Sequence, residues 1–349
     1  MTLLLIERPV VTKPLAVLAL FVTLAGEVSG ATDPSPIPAL SRAFDTHAIV
    51  QLGELHRGLQ THAFIQQLLR DPRFICRADD VVMEFGNSRL QRLADAYTAG
   101  AALSEAQIAS MWRETSVPFT WNTPVYRAVY DTVRDIDRLH LCAHPVRLVL
   151  ADAPLDWSKI KTAKDLLPFA DRDAAMADTI EREVIARHHH AFFISGEFHA
   201  EKKTGDDADG LTTAQIVERR HPGSVFAVVT VTSAEAAAVL RMGPSPSFKA
   251  ARDTDIAPEP FAMTKPGWSA NAPKAAHGLA IGEVVDGVLW LGGDSSLYPS
   301  PAIYLDPGYQ KELRRRLRII DAVSGQDFLA VLDDLVREAR DQDALAHPK

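Results

Sequence analysis

Cysteine is almost missing from this chain: Cys76 and Cys142 are the only two among 349 residues. No Cys-x-x-Cys pair, Gly-rich phosphate loop or Gly-x-Ser-x-Gly elbow occurs, so zinc-ribbon, nucleotide-binding and serine-hydrolase chemistry lose their usual sequence support. Positive charge is not in excess either. Lys and Arg number 37 against 45 Asp and Glu, a net charge of −8 that leaves no basic footprint for nucleic acid. With 47% hydrophobic and 23% charged residues the composition is globular, which argues against disorder.

Long apolar runs are also scarce, apart from one near the N-terminus. Arg8 and Lys13 precede the run Pro14 to Ala25, small residues follow at Val28, Ser29, Gly30 and Ala31, and a polar stretch comes next. That order is a secretory signal over residues 1–30, too short to span a bilayer comfortably. No cysteine lies near the expected cleavage point, which leaves lipoprotein anchoring unsupported. The expectation is a periplasmic or secreted protein with no membrane span once the signal is removed. An exported chain permits Cys76 and Cys142 to pair, and two buried free thiols fit the sequence equally well.

Beyond the signal, residues 31–349 read as a single α/β domain with a mainly parallel sheet and helices on both faces. Short apolar runs at 48–52, 81–85, 146–150, 191–195, 225–231 and 288–291 are strands; the first stops at Gly53 and the second at Gly86. Helical patterns cover 59–70, 171–187 and 213–220. A helical excursion separates the second and third strands, with capping-box spacing at Ser104 and Gln107 and a helix from Pro124 to about Leu139. Six prolines, from Pro244 and Pro246 to Pro266 and Pro273, make 243–276 a loop-rich excursion. The segment 288–291 ends at Gly292-Gly293-Asp294. A C-terminal extension, 305–349, carries two helices, near 308–322 and 326–341.

A repeat carries the chemistry. Gly53-Glu54-Leu55-His56 follows the first strand and Gly196-Glu197-Phe198-His199 follows the fourth. In an extended chain residues two apart share a face, so Glu and His project together. Ligand sites of parallel sheets gather beyond the strands' carboxyl ends, so the two motifs can share one cleft. Glu84 ends the second strand after apolar residues and is costly to bury unless paired. It serves as a base or an orienting group for His56, or forms a salt bridge to Arg57 or Arg89. Asp152, in the matching place after the third strand, is a site residue or a loop cap. Arg172, in the first turn of its helix, reaches an anionic substrate or pairs with Asp171 or Asp173. Trp157 is a pocket wall or core. His188-His189-His190 precedes the fourth strand, at the wrong end, and reads as a solvated turn.

Gly53-Glu54-Leu55-His56 with His62 and Gln66, the strand ending in Glu84, the Arg172-Asp173-x-x-Met176-Ala177 helix and the strand before Gly-x-x-His199 resemble the erythromycin esterase/ChaN-like superfamily, related to the Tiki and TraB proteins. A single residue between Glu54 and His56 is closest to the ChaN-like pattern. The resemblance spans roughly residues 45–300 and implies Glu and His side chains facing one cleft. In the esterase branch such groups activate water against a lactone; in the Tiki branch they bind a divalent metal; the ChaN branch binds haem.

The expected function is therefore an exported hydrolase of an ester, lactone or amide, a small-molecule substrate. Glu54, His56, Glu84 and His199 are the catalytic candidates and, in a metal-assisted variant, the metal ligands. Arg57, His62, Asp152, Arg172 and Glu197 are binding candidates. The alternative is a haem- or metal-binding uptake protein using the same histidines without turnover. For the signal, N-terminal sequencing of fractionated protein should find a mature chain outside the cytosol that begins near Ala31 or Thr32; intact Met1 on cytosolic protein would overturn it.

Overall fold

The computed structural model describes residues 35–205, 210–265, 278–293, 295–297 and 301–346. The proposed signal over 1–30, Pro266, Pro273 and Asp294 lie outside the described residues.

Strands β1 (Ile49–Glu54), β2 (Asp80–Asn87), β3 (Arg147–Asp152), β4 (Ala191–Gly196), β5 (Val225–Val231), β6 (Ser247–Ala250) and β7 (Gly287–Trp290) form one sheet. Its order is β3-β2-β4-β1-β5-β7-β6, and every pairing is parallel except β6 with β7. The sheet is thus the mainly parallel one expected, with one more strand. β6 lies inside the Pro-rich excursion, just after Pro246. Antiparallel at the sheet edge and only partly covered, it needs no continuous apolar run, so periodicity did not reveal it.

Alternation of side chains sorts the central strands onto two helical layers. Val50, Leu52, Val81, Met83, Phe85, Leu148, Leu150, Phe192 and Ile194 join a core that contains Leu68 of the helix Leu59–Arg70 and Val129 of the helix Pro124–Arg138. Ile49, Val82, Val149, Ala151, Ala191 and Phe193 face the other way, onto Met176 and Ile180 of the helix Arg172–Glu183 and Ala214 and Val217 of the helix Thr213–Arg220. Both faces are covered, which is why these strands read as near-continuous apolar runs. Helices Pro307–Ser324 and Phe328–Ala346 complete the C-terminal part, with Leu313, Leu317 and Leu332 packed against Leu155 and Trp157. Among the described residues no helix is long and apolar enough to cross a membrane.

Two strand ends differ from expectation. β1 continues through Gly53 to Glu54, and β2 through Gly86 to Asn87. These glycines do not break the strands; they admit close neighbours. A Cβ on Gly86 would lie 2.6 Å from Leu150 Cδ2, and one on Gly53 would lie 2.8 Å from the Glu197 Cα.

Cys76 and Cys142 form a disulfide across a sequence separation of 66 residues. It joins the chain just after the helix Pro72–Ile75 to the chain just after Pro124–Arg138. Closing a loop of this length contributes about 4 kcal/mol by constraining the unfolded chain. Replacing both cysteines by Ser should therefore lower the melting temperature clearly, and reductant should have the same effect on the native protein and none on the variant. Calorimetry with and without reductant checks this.

Candidate functional site

The two repeated motifs meet because β1 and β4 are adjacent parallel strands, with Glu54 opposite Gly196 and Gly53 opposite Ser195. Each motif's glycine makes room for the other motif. The bare Gly53 backbone accepts the turn Glu197–Ala200, and a Cβ on Gly196 would lie 2.6 Å from His56 Cε1 and 3.3 Å from Glu84 Oε2.

Glu54 continues the Val50, Leu52 face and points toward the layer of Leu59–Arg70 and Pro124–Arg138. It is 2% exposed, and three donors surround it: His56 Nδ1 at 2.8 Å and Tyr126 OH at 2.9 Å on Oε1, and His62 Nε2 at 2.8 Å on Oε2. Burial works to raise its pKa, but the two histidines outweigh burial and hold it below the ordinary carboxylate value. The buried His62 is thus a second clamp on Glu54. Arg57 takes part through its backbone, donating its N–H to the Tyr126 oxygen at 2.9 Å from a left-handed φ of 66°.

His56 is the open member of this group, with a side chain 38% exposed. A carboxylate only accepts, so Nδ1 carries the hydrogen of the His56–Glu54 bond, and the neutral ring presents an unprotonated Nε2. Trp121 stands edge-on to the ring, 4.9 Å between centroids. Burial alone would lower the His56 pKa; the hydrogen bond and charge of Glu54, with the charge of Glu84, raise it above the usual imidazole value.

Glu84 has the parity of Val82 and points to the opposite layer. Its Oε1 meets Arg172 Nη2 at 2.9 Å and His199 Nε2 at 3.2 Å, and its Oε2 accepts the Gly196 N–H at 2.6 Å. Against the penalty of burial, the charges of His199 and Arg172 keep its pKa well below the carboxylate range. Of the two salt-bridge partners considered from sequence, Arg89 pairs instead with Asp156 at 3.0 Å. Glu84 orients His199, while the residue hydrogen-bonded to His56 is Glu54. Arg172 spans Glu84 and Asp152, reaching the latter at 2.9 and 3.0 Å, and Asp152 also accepts the Ala153 N–H at 2.8 Å. Asp171 caps the Arg172 helix and Asp173 takes His199, so neither is the arginine's carboxylate partner.

His199 is held from both sides. Nδ1 bonds Asp173 Oδ1 at 2.6 Å, and Asp173 is fixed by the Thr213 N–H and hydroxyl at 2.6 and 2.7 Å. Desolvation opposes its charge, but Glu84 and Asp173 prevail and push its pKa up to about 10. Gln51, on β1, donates to Ser195 Oγ at 2.8 Å and to the His199 carbonyl at 3.0 Å, tying down the turn that carries the imidazole.

Glu54, His56, His62, Glu84, Asp152, Arg172 and His199 are thus brought to one end of the sheet. Glu197 is not in their hydrogen-bonded network: it bonds the Thr230 hydroxyl at 2.8 Å and pairs with Lys265. His189 lies at the far end, bonded to the buried Asp80 at 2.8 Å, so that turn is partnered rather than merely solvated. Trp157 is buried, donating to the Glu114 carbonyl at 3.1 Å. Tyr126, Asp173, Gln51 and Trp121 escaped sequence reasoning as site residues. Only Asp173 had a signal, as the neighbour of Arg172.

Both oxygens of Glu54 and of Glu84 already accept hydrogen bonds. Among the described residues, no three His, Cys, Asp or Glu side chains are grouped to hold a metal ion.

Fold and site together define an α/β protein with a carboxylate–histidine cluster at the strands' carboxyl ends. No family model matches the chain, and no curated protein matches it. Similar solved structures include a Bacillus cereus protein at 10% identity and a TM-score of 0.47, over 75% of this chain and 92% of that one. An erythromycin esterase variant in its open conformation is 11% identical with a TM-score of 0.45, over 74% and 93%. ChaN of Campylobacter jejuni, solved with cofacially bound haem, is 13% identical with a TM-score of 0.33, over 55% and 84%.

The raised His199 pKa has a signed consequence for stability. A histidine near 6.5 when unfolded and about 10 when folded contributes stability that is complete below pH 6.5 and is lost as pH rises through 10. Melting temperature should fall across that window in the native protein, and fall less in His199→Gln. Parallel slopes for the two proteins would show that His199 is not charged in the fold.

Proposed function

We propose that this cleft hydrolyses an ester, lactone or amide of a small molecule, with His56 as general base. The observation that carries the reading is the His56–Glu54 pair: Nδ1 is anchored to a buried carboxylate, so the neutral ring carries its free lone pair on Nε2, and the side chain is partly exposed. His56 Nε2 takes a proton from water while the water oxygen attacks the carbonyl carbon, and Glu54 stabilises the imidazolium that forms. The carbonyl oxygen gathers negative charge near His199. The longer of the two His199 contacts, that of Nε2 with Glu84, leaves this N–H the one able to turn toward it. As the carbon–oxygen or carbon–nitrogen bond breaks, His56 returns its proton to the leaving group. Glu84 and Asp173 hold His199, Arg172 and Asp152 fix Glu84 in turn, and none of them touches the reacting atoms.

The export expected from the basic-apolar-small N-terminal order puts this chemistry in the periplasm or medium. Haem or metal uptake through the same His56 Nε2 is the competing reading, and it involves no turnover.

A panel of esters, lactones and amides, run with and without chelator, tests the proposal. Activity should survive the chelator, and His56→Ala should lower kcat by roughly 10²- to 10⁴-fold with little change in melting temperature. The profile of kcat/KM should rise with pH through a pKa above 6.5, where His56 becomes neutral, and fall near pH 10 as His199 loses its proton. A silent panel, with a haem absorbance band that appears in wild type and not in His56→Ala, would replace hydrolysis with haem binding.

A further inference from the structure

The phenol of Tyr126 is buried within the helical excursion, and no step above uses it. Its oxygen sits between two partners whose roles are fixed. The Arg57 N–H can only donate, and it reaches the phenol oxygen at 2.9 Å, so the phenol hydrogen is left for Glu54 Oε1, also at 2.9 Å. That same carboxylate oxygen accepts from His56 Nδ1. The ring has little freedom: it stands edge-on to His62 and Trp121, with centroids at 4.8 and 4.9 Å, and tilted against Phe85 at 4.7 Å.

A proton passing from His56 to Glu54 Oε1 would weaken the phenol's hydrogen bond, which is stronger to a charged carboxylate than to a neutral acid, and Oε2 is held by His62. We propose that Tyr126 is a positioning residue for His56: it keeps the shared proton on Nδ1, and thereby keeps Nε2 as the base. This assignment rests on the hydrolytic reading of the cleft. The helical excursion then becomes part of the working site, because it supplies the one hydroxyl that directs the Glu54–His56 pair. The Arg57 N–H bond also ties the turn after His56 to the same hydroxyl, so ring position and proton position are set together. Glu84 and His199 are the other charged groups that act on His56, from β2 and from the turn after β4, and neither touches the phenol.

Tyr126→Phe keeps the ring and removes only the hydroxyl. With one donor fewer, Glu54 attracts the imidazolium more strongly. The acid limb of kcat/KM and the His56 titration followed by ring ¹⁵N and Cε1–H resonances should both move up by roughly half to one unit. The kcat should fall roughly three- to tenfold, with KM unchanged. Tyr130→Phe is the control: that buried phenol, one turn on, donates to the Phe85 carbonyl at 2.6 Å, so its loss should lower the melting temperature and leave the His56 titration in place. An unmoved His56 titration in Tyr126→Phe, or an equal shift in Tyr130→Phe, overturns the assignment. The resonances need no substrate, so the two ideas fail separately. A shifted titration with a silent substrate panel defeats hydrolysis alone, and turnover with an unshifted titration defeats Tyr126 alone.

Discussion

The structure depends on a reciprocal close approach. Gly53 and Gly196 stand in neighbouring parallel strands, and each leaves empty the volume that the other motif's side of the cleft occupies. A side chain at Gly196 would collide with the His56 ring, and one at Gly53 would collide with the backbone that begins the His199 turn. Neither glycine is needed for an unusual dihedral angle. What each supplies is the absence of a Cβ, so the sheet spacing of β1 and β4 becomes the spacing of the two histidine motifs.

From that seam the polar groups fan out by strand parity. Glu54 turns to one helical layer and is clamped by His62 and Tyr126; Glu84 turns to the other and is clamped by Arg172, His199 and the Gly196 amide. Burying two carboxylates is costly, and each is compensated by three donors rather than by one ion pair. The layers are therefore not passive covers. Each contributes donors that help one buried acid stay ionised, His62 and Tyr126 from one side and Arg172 from the other, and His56 alone among the imidazoles of the site is substantially exposed.

Much of this was legible in the sequence because it is local. Strand runs such as Val225 to Val231, the Ser104 and Gln107 cap and the repeated Gly-Glu-x-His each depend on neighbours in the chain. The partners were not legible. Tyr126 lies 72 residues from Glu54, and Glu84 lies 88 from Arg172; no periodicity encodes such pairs. Glu197 illustrates the opposite error. Its motif matches that of Glu54, but the chain after Gly196 turns into a 3₁₀ helix instead of staying extended, and the carboxylate swings to Thr230 and Lys265. Equal sequence did not mean equal direction, because β1 is followed by an open turn and β4 by a helical one.

The disulfide has a mechanical meaning for the cleft. The helices Leu59–Arg70 and Pro124–Arg138 pack together, one carrying His62 and the other Tyr126 near their starts. Cys76 and Cys142 lie beyond their far ends and rivet them there, like the pivot of a pair of tongs whose tips grip Glu54. One covalent link at the far ends thus holds together the two helices whose near ends supply donors to Glu54, a carboxylate that neither cysteine touches.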